Sequence, residues 1–275
     1  MRLVPPENSR LWTMGTRLVV TTVGLSCKAF LHFLTRKVTL RNREAFLDTL
    51  YDPERKRPII TVANHASTFD DPLLWSVLPA RMWWQPQYFR WALGAKEIVH
   101  INTFFEYFFT LGQTMPIVRG NGIYQPVMDF ALRILNKGAW LHVFPEGKVN
   151  QGIDLPRLKW GVGRLILEST LDPIIIPIWH HGMEDIMPLD QPQPLPHLWK
   201  DLTVVFGDPL DVSDLVQAYR KGILSDSEAR IAISSRIHTE MGVLKKQALQ
   251  IHPGIPKVSD DTKFKKVESM EQVEG

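Results

Sequence analysis

Pro58-Ile59-Ile60-Thr61-Val62-Ala63, running directly into Asn64-His65-Ala66-Ser67-Thr68-Phe69-Asp70-Asp71, is the segment on which the fold of this chain turns. The first six residues are almost continuously apolar and rich in β-branched side chains, the pattern of a buried strand. The polar run after them reads as a turn, and Leu73, Leu74, Trp75 and Leu78 then space a short helix. Strand, turn and helix in that order belong to an α/β architecture, and open α/β sheets hold their ligands at such strand ends.

The alternation recurs on both sides. Val38–Leu40, Ala139–Phe144, Ile174–Trp179 and Leu202–Phe206 read as further strands. Val127, Met128, Ala131, Leu132 and Leu135 share one face of a helix over 124–137, stopped by Gly138. A second helix follows from about Trp160 to Leu171, and Ser225-x-x-Glu228 is a capping box opening a long one that buries Ile233, Ile237, Met241 and Leu244. Pro177 cannot donate to a ladder, so it predicts an edge or bulged position for its strand. The expected fold is α/β, a largely parallel mixed sheet flanked by helices, with an N-terminal membrane-associated helix. Residues 1–37 are expected to be a basic, apolar membrane-associating segment, 38–251 one α/β domain, and 252–275 a disordered polar tail.

The 275 residues are 44% hydrophobic and 22% charged, enough to bury a core, and no period recurs, which excludes disorder for the bulk and repeat architectures. A single cysteine, Cys27, excludes an internal disulfide and a thiolate metal cluster. The net charge of +3 is unevenly placed: the first 43 residues carry eight Lys and Arg against Glu7 alone, so the rest is net acidic. Such a terminus suits anionic lipid and shares the bias of a mitochondrial address. Nucleic acid is disfavoured, because these charges interleave with the apolar run Leu18–Leu34. That run holds Lys28 and His32 and is marginal as a span, so a helix in one leaflet with Lys28 snorkelling to the headgroups is expected.

No GxSxG elbow, phosphate loop or HExxH helix is present, and Gly161-Val-Gly163 lacks the third glycine of a dinucleotide fingerprint. Two strand-end clusters remain. In the first, Asp70 can fold back to accept the proton of one nitrogen of His65, leaving the other basic and aimed at a substrate hydroxyl. The competing assignment is structural, since Ser67-x-x-Asp70 and Thr68-x-x-Asp71 match capping boxes and Asp71-Pro72 fits N-cap and N1. No second histidine at ligand spacing supports a metal there. The second cluster is Phe144-Pro145-Glu146-Gly147-Lys148 with Arg157, Lys159 and Arg164, joined by Arg119 after Met115–Val118. Its glycine and cations suit a phosphate. The rings of Phe104 to Phe109 are expected mostly in the core rather than along a lipid groove.

Asn64-His65…Asp70 resembles the H-x4-D motif of the glycerolipid acyltransferase superfamily. Pro116-Ile117-Val118-Arg119 resembles its second block, Phe144-Pro145-Glu146-Gly147 its third and Pro173–Pro177 its fourth, in the same order. The segments NHASTFDDPLLW, RGNGIYQPVMDF, GAWLHVFPEGKVN, LKWGVGRLI and PIWHHGM are similar to those of the phospholipid–lysophospholipid transacylases of that superfamily, over about Val38 to Pro188. Ala66 departs from the glutamine common among relatives. The resemblance implies acyl exchange between phospholipids and lysophospholipids, with phosphatidylcholine, cardiolipin and monolysocardiolipin as lipid partners and no acyl-CoA, cofactor or metal. It implies His65 as base, Asp70 as its orienting partner, and Arg119, Glu146 and Gly147 lining the headgroup site. It places the protein on mitochondrial membranes facing the intermembrane space. Three other readings stay open: a CoA-dependent lysophospholipid acyltransferase, a lipid hydrolase and a non-enzymatic peripheral membrane protein.

Overall fold

The computed structural model describes residues 6, 9–191 and 195–254. Arg2 and Glu7 of the basic terminus, and residues 255–275 of the expected tail, lie outside them. Helix α1 (Arg10–Phe33) precedes β1 (Lys37–Arg41) and α2 (Arg43–Tyr51). Then come β2 (Ile59–Ala63), α3 (Asp70–Ser76), β3 (Trp91–Ala95), α4 (Lys96–Val99), α5 (Thr103–Leu111) and β4 (Thr114–Ile117). The second half runs α6 (Pro126–Leu135), β5 (Trp140–Val143), α7 (Gly161–Glu168), β6 (Ile174–His181) and α8 (Met183–Ile186), then β7 (Asp201–Phe206), α9 (Ser213–Arg220) and α10 (Asp226–Ile251).

The seven strands form one sheet in the order β1-β7-β6-β2-β5-β3-β4. β2 is buried throughout and lies between β5 and β6, parallel to both. Only the β6–β7 pair is antiparallel, so the sheet is mixed and mostly parallel. The period-2 alternation of β2 sends Ile60 and Val62 into a core with α6, α7 and α10, and Ile59 and Ala63 into a second core with α1, α2 and α3. The ends of β2, β5 and β6 thus meet at one edge under two helical layers, the place where ligands of open α/β sheets sit. The capping box at Ser225 forms, with both reciprocal bonds, and the four apolar residues expected on α10's inner face are buried.

Four expectations are corrected. Pro177 sits in an interior strand, paired with Val62 of β2. Its carbonyl accepts from Gly207 N (2.8 Å) just beyond the end of β7, so the missing N–H falls where the neighbouring ladder has ended. Lys28 does not reach for headgroups: its ammonium donates to the carbonyls of Ser76 (3.1 Å) and Leu78 (3.0 Å) and faces the Trp83 ring. The ring cluster of α5 is not core, for Phe104 and Tyr107 are 71% and 47% exposed. His252 is not the start of a free tail, because it is buried and its Nδ1 meets Thr203 Oγ1 at 2.9 Å.

Helix α1 lies against α3, with Val20 and Leu31 in the second core and Leu11, Leu18, Leu25 and Phe33 exposed. Among the described residues no helix is long and apolar enough to cross a membrane.

Candidate active site

His65 leaves β2 two residues past its end and is held at three points. Its N–H donates to Glu146 Oε1 (2.8 Å), its carbonyl accepts from Asn150 N (2.7 Å), and its ring stacks on Phe144 at 4.3 Å and 17°. The fourth contact orients it: Nδ1 lies 2.8 Å from Asp70 Oδ2. That oxygen also accepts from the amides of Ala66 (2.6 Å) and Ser67 (2.9 Å), while Asp70 is fully buried. Two amide donors keep the carboxylate an acceptor, so the imidazole nitrogen facing it carries the proton. Nε2 is then the basic nitrogen, and it has no partner among the described residues, on a side chain 19% exposed.

The chain folds this way because the loop between β2 and α3 closes on Asp70. The capping-box assignment fails in geometry. The cap of α3 is Phe69, with no side-chain cap bond, and Ser67 Oγ accepts from Phe69 N instead (3.1 Å). Asp71, the other half of that assignment, binds Trp75 Nε1 (3.0 Å) and pairs with Arg90.

Glu146 and Gly147, after β5, join the same cluster. Gly147 has φ +74°, a conformation glycine adopts without cost, and its N–H closes the turn onto the carbonyl of Phe144 (3.1 Å). Glu146 is buried with Oε2 unpartnered. Burial pushes its carboxyl above the usual range, partly offset by the His65 amide. Lys159 N donates to Pro145 O (2.7 Å), so the basic loop is tied to the turn.

Arg119 is not bonded to this cluster. It follows β4, three strands from β2 on the same edge, about 14 Å at the usual strand spacing. It pairs with Glu97 at 3.0 Å and is partly exposed. Arg164 is corrected outright: it is buried and consumed by Asp129, Glu168 and the carbonyl of Ile123. Arg157 and Lys159 remain exposed.

Two histidines and an asparagine that the sequence reading left without a role complete the surroundings. Asn64 clamps β2 to β6, its side chain donating to His180 O (3.0 Å) and accepting from His180 N (2.9 Å). The ring of His180 returns the contact through Nε2 to Asn64 O (2.8 Å) and stands 3.6 Å from Asp70 Oδ2. His142 lies fully buried in β5 with Nδ1 2.9 Å from Thr61 Oγ1. The same hydroxyl accepts from Trp140 Nε1 (2.9 Å). Burial first, then Arg90 and the neighbouring histidines, hold the His142 ring well below its ordinary value, and it stays neutral. The sequence carried these residues inside the segments that resemble the transacylases, without assigning them a role.

A cavity of about 270 Å³ adjoins the cluster, lined by Asn64, Ala66, Glu146, His180, Glu184 and Lys245. The loop amides are mostly spent: Ala66 and Ser67 on Asp70, Phe69 and Asp70 on Ser67, and Gly147 on its own turn. The N–H groups of Thr68 and Lys148 have no partner among the described residues. Among the described residues no group of three or more His, Cys, Asp or Glu could hold a metal ion.

A mostly parallel sheet with a histidine–aspartate pair at the end of its central strand, and a glutamate–glycine turn bonded to it, is the arrangement of an acyltransferase. The acyltransferase family model matches residues 37–181, and the chain belongs to that family.

Within the family the chain is similar to tafazzins. It is 37% identical to Tafazzin of Drosophila melanogaster over 89% of this chain, and spans 64% of that protein's length. It is 41% identical to Taffazin of Dictyostelium discoideum, covering 73% of this chain and 71% of the relative. N-acylphosphatidylethanolamine synthase of Arabidopsis thaliana is 40% identical over 70% of this chain and 69% of its own. The solved PlsC, a 1-acyl-sn-glycerophosphate acyltransferase of Thermotoga maritima, shares the fold with a TM-score of 0.54 at 17% identity, over 83% of this chain and 79% of that one.

Proposed function

We propose that this protein is a phospholipid–lysophospholipid transacylase that uses His65 as its general base and needs no acyl-CoA. The observation that carries the reading is the open Nε2 of His65, whose Nδ1 is committed to a buried carboxylate. Relatedness to proteins named tafazzin supports the phospholipid substrate class.

In this reading Nε2 removes the proton of a lysophospholipid hydroxyl as that oxygen attacks the ester carbonyl of a donor phospholipid. The new C–O bond forms a tetrahedral oxyanion, and the unspent amides of Thr68 and Lys148 are its candidate donors. The intermediate breaks the original ester bond, and the imidazolium returns the proton to the departing glycerol oxygen. One ester is made as one is broken, so the exchange is nearly isoenergetic and needs no activated donor. Glu146 shapes the site by fixing the His65 backbone, Gly147 by turning the chain after Phe144, and Arg119 on the same sheet edge is the proposed phosphate partner. Monolysocardiolipin and phosphatidylcholine are the proposed acceptor and donor, and mitochondrial membranes facing the intermembrane space the proposed setting.

Purified protein is mixed with acyl-labelled phosphatidylcholine and monolysocardiolipin in liposomes without CoA. Label in cardiolipin is the expected result. Transfer only on adding acyl-CoA would assign the CoA-dependent reaction, and free fatty acid as the main product a hydrolase.

A further inference from the structure

Between the end of α1 and β1 lies a groove of about 620 Å³ whose charged walls are all basic. Lys28, Arg36, Lys37 and Arg43 line it, with Val38 and Leu40 as apolar wall. Two carboxylates approach these cations and each is taken: Asp201 pairs with Arg36 and Glu44 with Arg43. Among the described residues Lys28 has only backbone carbonyls and a ring for partners, and Lys37 is exposed, near Asp201 but not bonded to it. Burial, and then Arg43, push the Lys28 ammonium below its usual range, and the four cations of the groove outnumber the two carboxylates that pair with them.

The groove is also well placed. Lys37 stands opposite Asp201 on β7, and Thr203 opposite His181 on β6, so β1 begins on the sheet edge where β2 ends. The Lys37 end of the groove therefore lies on the edge that carries His65, three strands away, and Leu25 and Phe33 of α1 are exposed.

We propose that this groove binds the phosphate of an anionic phospholipid at a bilayer surface, with the lipid's chains following the apolar wall. Charge complementarity selects the phosphate, and the adjoining Leu25 and Phe33, both exposed, select a lipid. The proposal shares the bilayer setting of the reading above and is independent of its acyl-transfer step.

The test is flotation of the full chain on vesicles of phosphatidylcholine, with or without about one-third phosphatidylglycerol. A basic residue at an anionic surface contributes about five-fold to partitioning. Lys37→Gln with Arg43→Gln should lose about twenty-five-fold on the anionic vesicles and little on the neutral ones. Lys221→Gln with Lys246→Gln, both exposed and outside the groove, should keep wild-type binding. Equal losses in the two pairs, or none in the first, would overturn the groove. Displacement from vesicles by millimolar inorganic phosphate would overturn the lipid as its occupant. Where Arg43→Gln fails to fold, exposed Lys37→Gln alone must lose about five-fold. His65→Ala should bind as wild type, so failure of exchange and failure of this site are read separately.

Discussion

His65 and Asp70 meet because one carboxylate oxygen gathers three donors, the imidazole and the amides of Ala66 and Ser67. Asp70→Asn can keep one oxygen for the three donors, but it removes the negative charge that stabilises the imidazolium formed when Nε2 takes the proton. Acyl exchange should fall by about 10²–10⁴-fold, with the far-UV spectrum unchanged. Exchange within two-fold of wild type would remove Asp70 from the mechanism. Glu146→Gln preserves an acceptor for His65 N and should keep activity within about ten-fold, whereas Glu146→Ala leaves that amide unpaired and costs about 1–3 kcal/mol in a denaturant melt. Equal behaviour of the two variants would contradict a positioning role. At this scale the sequence was legible where chemistry and location coincide: His65, Asp70, Glu146 and Gly147 stand at strand ends. Arg164 was misread because a run of cations does not disclose its partners, although Glu168 four residues on was a sign. His142 and His180 were passed over because a histidine in an apolar strand leaves no periodic mark.

Helix α1 illustrates what an element's pattern hides. Its apolar length and basic flanks were plain, but the direction of Lys28 depends on α3, whose last turn offers the carbonyl acceptors near Ser76. The same docking leaves no room at Gly24, where a Cβ would lie 2.6 Å from the buried Trp83 ring. Gly24→Ala should cost about 1–3 kcal/mol by overpacking, read as a lowered thermal midpoint, and a neutral or stabilising effect would contradict the close approach. Helix α5 went the other way: its rings were expected in the core, yet Phe104 and Tyr107 are exposed, Tyr107 against Trp12 of α1 at 6.4 Å between ring centroids. Pro177 was a sound warning of a broken ladder in the wrong place, since the break belongs to β7 rather than to an edge.

For the whole molecule, the class of fold followed from alternating strands and helices, but the strand order did not. Pairing β2 with β5 and β6 joins segments some eighty and more than a hundred residues apart, and local pattern is blind to that. Burial holds the rings of His100, His142 and His252 below their ordinary values. The unfolded chain therefore binds protons below about pH 6.5 that these folded rings resist, so their contribution to stability is present above that pH and lost as it falls. The thermal midpoint should drop between pH 7.5 and 5.5, and His142→Gln should flatten the slope by at most about 1.4 kcal/mol per pH unit. An unchanged slope would mean His142 is not buried neutral. The central claim is that this fold exists to hold one imidazole ready for a lipid alcohol. The direct measurement is the rate at which labelled acyl chain passes from phosphatidylcholine to monolysocardiolipin in CoA-free liposomes, wild type beside His65→Ala. A loss of at least about 10²-fold with folding intact is predicted, and near-wild-type exchange by the variant would contradict the account.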